Sequence, residues 1–136
     1  MGRGGSWRRS ALASNWTPVF LYAALILALS SIPAPRLAPL VPAGWDKVVH
    51  AVEYGIFSAL IARALRGART GRASTTARSA ALVAIVVAAG YGALDEAYQG
   101  RTGRDSDPYD LAADVAGAAL AQIVLLRRER GGVKRP

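Results

Sequence analysis

The stretch LDEAYQGRTGRDSDPYDLAADVAG, residues 94–117, decides how the rest of the chain is read. It holds six of the nine carboxylates in the protein: Asp95, Glu96, Asp105, Asp107, Asp110 and Asp114. Arg101 and Arg104 stand among them. On both sides lie uncharged segments apolar enough to cross a membrane. A polar connector between two such segments is either a functional face or a solvated loop, and the surrounding pattern bears on which.

Over 136 residues there is room for one domain. Hydrophobic residues make up 52% of the chain, and charge is confined to a few short regions. This pattern suits a small polytopic membrane protein better than a water-soluble core. There is no cysteine, so no disulfide framework or thiol chemistry is available. The net charge of +8 would fit a nucleic-acid partner, but its distribution follows membrane topology instead, and no nucleic-acid partner is expected.

Four apolar segments emerge. Residues 16–32 (WTPVFLYAALILALSSI) open on an interfacial tryptophan, with Pro18 expected in the first helical turn. Residues 1–15 before them are small, polar and basic, and are expected to form a disordered cytoplasmic tail. A cleaved signal peptide competes for this start, because an Arg-Arg pair precedes an apolar run and small residues follow it. Residues 33–42 carry four prolines and are expected to be a non-helical connector.

Residues 46–65 (DKVVHAVEYGIFSALIARAL) form a second helix, with Asp46 placed to cap it. At 3.6 residues per turn, Asp46, His50, Glu53, Tyr54 and Phe57 share a face. Residues 67–78 read as a flexible linker. Residues 79–94 form a third helix that runs into Asp95, Glu96 and Gln99, and residues 110–126 form a fourth with Asp110, Asp114, Gly117 and Ala121 on one face. Residues 127–136 are a basic tail. The fold class expected is all-α, an integral membrane bundle of four transmembrane helices occupying residues 16–126.

Thirteen of the 17 lysines and arginines fall in residues 1–15, 63–78 and 127–135, together with one acid, Glu129. The positive-inside rule puts both termini and the linker after the second helix in the cytoplasm. The acidic stretch then faces outward. Excess acid costs little there, so Asp105 and Asp107 are expected to be solvated loop charges.

His50, Glu53 and Asp114 lie deeper, where ionisable groups are costly. One reading is packing, in which polar groups on facing helices pair and fix register. The other is an outward polar pocket lined by Asp46, His50, Glu53, Tyr54, Glu96, Gln99, Arg104, Asp110 and Asp114. Such a pocket would bind a polar ligand, or use Glu53 or His50 as an acid/base. With one histidine and no cysteine, no metal site is expected, and no motif for a cofactor is present. No catalytic residue is assigned, and the chain is read as more a binding protein than an enzyme.

The segment DKVVHAVEYGIF resembles the D-K-x-x-H-x-x-x-Y motif of VanZ-like membrane proteins, through Asp46, Lys47, His50 and Tyr54. The opening stretch resembles the second motif of the same family through Glu96, Gln99, Gly103, Arg104, Asp110, Asp114 and Gly117. Ala51 and Asp114 depart from the residues most usual there, Phe and Asn, without breaking the pattern. The resemblance covers about residues 45–120. It implies a small bacterial inner-membrane protein of the cell envelope, with a link to tolerance of the glycopeptide antibiotic teicoplanin in the member that names the family. It implies no established reaction. Partners expected are the lipid bilayer and an envelope lipid or cell-wall precursor, with Arg104 as the natural contact for phosphate.

Overall fold

The computed structural model describes residues 4–37, 42, 44–67, 76–101 and 107–132. Four long helices and one short one make it up: α1 (Gly4–Ser30), α2 (Ala34–Leu37), α3 (Asp46–Gly67), α4 (Ala77–Arg101) and α5 (Pro108–Gly132). Every element is helical, so the chain is an all-α bundle.

The bundle is dressed for lipid. Its outer faces carry large apolar side chains such as Phe20, Leu82, Val86 and Leu120, each more than 60% exposed. Its interior holds alanines, glycine and polar groups, with Ala80, Ala84 and Ala88 forming a fully buried stripe along α4. A water-soluble domain has the opposite distribution. Three helices, α3, α4 and α5, are long and apolar enough to cross a membrane; α3 has 22 residues, about 33 Å at 1.5 Å per residue, against a hydrocarbon core of roughly 30 Å. The apolar part of α1 (Ser14–Ser30) is shorter.

Several expectations change. The proposed disordered tail is helical from Gly4 onward. Residues 6–15 contain neither proline nor glycine, so an established helix extends through them at one hydrogen bond per residue. Pro18 therefore sits inside α1 rather than in its first turn; membrane helices tolerate such prolines. At the other terminus α5 continues to Gly132, so the start of the basic tail is helical too. α4 runs seven residues past its expected end at Leu94, carrying Asp95, Glu96 and Gln99 on the helix itself.

The proline-rich connector holds one helical turn, α2, with the Arg36 amide bonded to the Pro33 carbonyl (2.9 Å). Proline is accepted there because first-turn amides have no helical partner. Before α3, the Trp45 amide bonds the Pro42 carbonyl (3.0 Å). The turn places Gly44 at φ 79°, a conformation that side chains rarely take.

α3 packs most extensively against α5. Ties between them join residues 63 or 64 positions apart: Lys47 to Asp110, His50 to Asp114, Ser58 to Gln122 and Arg66 to Glu129. A constant offset along the whole length means that the two helices run parallel and in register. Their contact is made by small residues. A Cβ on Gly55 would stand 3.2 Å from the Gly117 carbonyl oxygen, and one on Gly117 would fall onto the backbone of Ala51. Such close approach is how helices associate where lipid removes the hydrophobic drive between them.

Phe57 anchors the other helices. It stacks on Tyr22 of α1 (6.2 Å between centroids) and meets Tyr54 and Tyr91 edge-on (6.3 and 5.2 Å). Tyr91 donates its hydroxyl to the Ala23 carbonyl (2.7 Å), joining α4 to α1.

Gly117→Ala should lower the thermal unfolding temperature of the detergent-solubilised protein, by overpacking worth about 1–3 kcal/mol. Gly90→Ala meets no atom within 4 Å and should be neutral or stabilising, by up to about 1 kcal/mol. Equal effects would show that Gly117 is not at a close crossing.

Candidate functional site at the polar end

The ends of α1 and α4 and the starts of α3 and α5 meet at one end of the bundle, and most of the carboxylates gather there. Lys47 is the centre of this cluster. Its ammonium lies 3.2 Å from Asp46 and 2.6 Å from Asp107, and it also pairs with Asp110. One turn on, the His50 ring bonds Asp114 through Nδ1 (2.9 Å), and its Nε2 faces Asp110 at 3.9 Å. Asp110 and Asp114 are buried, Asp114 almost completely at 1% exposure. Room for Asp114 comes from α4, because a Cβ on Gly92 would stand 2.8 Å from its Oδ2 and 3.3 Å from the Tyr54 ring.

A second polar group joins α1 to α4. Ser30 donates to Asp95 Oδ2 (2.6 Å), and Gln99 donates to the same oxygen (2.8 Å) and to the Ser30 hydroxyl (3.2 Å). All three are buried. Beside them Ser31 shares a hydrogen bond with Tyr98 (3.1 Å). The Glu96 carboxylate accepts the Asp107 amide (3.1 Å), tying α4 to the start of α5.

Among the residues expected at the site, His50, Asp110 and Asp114 form one bonded cluster, with Tyr54 against Asp114 at Gly92. Glu96 joins through Asp107, and Gln99 belongs to the group around Asp95. Glu53 is half-buried on α3. Asp46 is exposed and meets Lys47 alone among these groups; as the first residue of α3 it joins the cluster at its rim. Arg104 lies outside the described residues, as does Asp105.

Asp107 is not the solvated loop charge expected. Its carboxylate accepts the Tyr109 amide (2.9 Å) as the N-cap of α5, with Pro108 following in the first turn, and it holds Lys47. An aspartate directly before a proline is the signal that marks this cap in the sequence. The Lys47 ammonium, and then the Tyr109 amide, hold the Asp107 carboxyl below its usual range. A lowered carboxyl contributes stability above its unfolded value near pH 4, and that contribution is lost only as pH falls through its own lower value.

Lys47, Asp95 and Ser30 were not among the expected site residues. Neither was the Ser58–Gln122 bond (2.9 Å), which is buried midway along α3 and α5. Serine at the end of an apolar run has no periodic signature, so the sequence does not single out Ser30.

Two buried polar atoms, the Tyr54 hydroxyl and Asp95 Oδ1, have no hydrogen-bond partner among the described residues. Leaving a buried polar atom unmet costs about 1–3 kcal/mol, so such atoms mark where a water or a ligand atom is accommodated. The cluster is rich in acceptors and poor in cations, and suits a group that brings donors. Among the described residues, no three histidines, cysteines or carboxylates are grouped to hold a metal ion. Comparison with known proteins finds no matching family model, no matching curated protein and no matching solved structure.

Ser30→Ala removes a donor from the buried Asp95 carboxylate and should cost about 1–3 kcal/mol of stability, read by unfolding in detergent. An unchanged midpoint would show that α1 and α4 are not joined through this bond.

Proposed function

We propose that this is a VanZ-like bacterial inner-membrane protein with both termini in the cytoplasm, whose polar end faces outward and binds an envelope lipid or lipid-linked cell-wall precursor. One observation carries the reading. Four helices deliver polar and titratable side chains to the same end of a lipid-dressed bundle, where the Tyr54 hydroxyl and Asp95 Oδ1 await donors or acceptors. Residues of both resembling motifs take part: Lys47, His50 and Tyr54 from the first, and Glu96, Gln99, Asp110 and Asp114 from the second.

The excess of carboxylates favours hydroxyls or amines of a head group, such as those of a glycan, over bare phosphate. A phosphate contact would fall to Arg104, through its planar fork of donors. Teicoplanin tolerance follows the same logic, since that antibiotic acts on the cell wall, and belongs to the proposal in the same measure.

A structural reading has its own support. Lys47 already has three carboxylate partners and His50 already has Asp114, which is how polar groups act when they only set helix register.

Binding of a polyprenyl-diphosphate-linked disaccharide to the purified protein in nanodiscs, followed by tryptophan fluorescence, separates the two. The proposal expects saturable binding that Tyr54→Phe weakens about tenfold while the unfolding temperature holds. No saturable binding, or a Tyr54→Phe variant that binds normally, would leave the structural reading in place.

A further inference from the structure

Outside the polar end, the lipid-facing side of α3 and α5 carries a groove of about 770 Å³. Its walls include Val52, Ile56, Leu120 and Val124, all more than 40% exposed. Its floor is the glycine and alanine crossing of the two helices. A cation stands at each end: Lys47 and Arg128. From Ala113 to Arg128 the groove follows α5 for about 22 Å, most of the thickness of a hydrocarbon core.

The two cations differ. Lys47 is neutralised by Asp46, Asp107 and Asp110. At the other end the one side-chain carboxylate among the described residues is Glu129, and it is taken by Arg66. No carboxylate among the described residues pairs with Arg128, which is exposed where the apolar groove ends. Its guanidinium is therefore open to an anion from outside the described residues. A guanidinium binds phosphate through two parallel hydrogen bonds.

A second copy of this chain fits poorly on the same face. Two copies in the same membrane orientation, related by a two-fold axis through the groove, would bring Arg128 against Arg128. Like charges would then meet without an acid to separate them. An anionic lipid meets both demands at once, with an acyl chain along the apolar walls and a phosphate on Arg128.

We infer that the α3–α5 groove is a binding site for an anionic glycerophospholipid, one acyl chain lying in the groove and the phosphate on Arg128. Its phosphate end, at Arg128, lies at the opposite end from the polar cluster, and the inference does not depend on the function proposed there.

Native mass spectrometry of the purified full chain, titrated with phosphatidylglycerol or phosphatidylcholine of the same acyl chains, reads the affinity directly. Phosphatidylglycerol should bind more tightly. Arg128→Gln should weaken it about tenfold, and Ala116→Phe, which fills the groove and keeps the charge, should weaken it similarly. Arg130→Gln, on the same exposed helix end, should change it less than twofold. Equal binding of the two lipids would overturn the inference, as would equal losses in Arg128→Gln and Arg130→Gln or normal binding in Ala116→Phe. A dimer that Ala116→Phe dissolves would assign the groove to a second copy instead.

Discussion

Backbone-to-backbone contact between α3 and α5 is the constraint on which the other features rest. Gly117 lies so close to the Ala51 backbone that it has no room for a side chain, and a Cβ on Gly55 would fit only tightly, 3.2 Å from the Gly117 carbonyl oxygen. Close approach fixes both distance and register. With the register fixed, Lys47 falls beside Asp110 and His50 beside Asp114 at one end, and Arg66 falls beside Glu129 at the other. A slip by one turn would separate every one of these pairs at once. The charge pairs therefore report the packing as much as they produce it.

Lipid surroundings explain why the interior is built this way. Burying leucine and valine gains little when the outside is equally apolar, so large side chains face outward and the inside is left to alanine, glycine and hydrogen bonds. Polar groups can then be carried deep into the bundle if each finds a partner. Ser58 and Gln122 do so midway along α3 and α5, and Ser30, Asp95 and Gln99 do so between α1 and α4. At the polar end more groups are assembled than this pairing uses, with the Tyr54 hydroxyl and Asp95 Oδ1 as the remainder.

The helix count and the convergence of His50, Asp110 and Asp114 could be read from hydropathy and helical phase, because both obey the 3.6-residue period. Boundaries were less legible. Polar residues such as Asp95 and Gln99 look like loop, yet stay helical because their side chains find partners on α1. Asp107 looked like solvent-exposed acid, because its carboxylate serves as a cap only through where α5 begins, at the following proline, and through the approach of Lys47 from α3. Lys47 was visible in the sequence, but its place as the hub depends on the α3–α5 register, which no local pattern encodes. Ser30 was hidden because its partner Asp95 lies on α4, and no local pattern at the end of α1 encodes that pairing.

The register of α3 against α5 is the claim on which this account stands, and a designed cross-link tests it most directly. The chain has no cysteine of its own. A Cβ on Gly55 would stand 3.7 Å from the Ala121 Cβ, inside the roughly 3.5–4.5 Å that a disulfide spans. In the double variant Gly55→Cys/Ala121→Cys, oxidation in the membrane should join the two helices within one chain. Fragments cut by trypsin between α3 and α4 should then stay together until reduced. Fragments that separate without reductant, or an equal cross-link yield from Gly90→Cys/Ala121→Cys, would contradict the parallel, in-register packing on which both proposed sites depend.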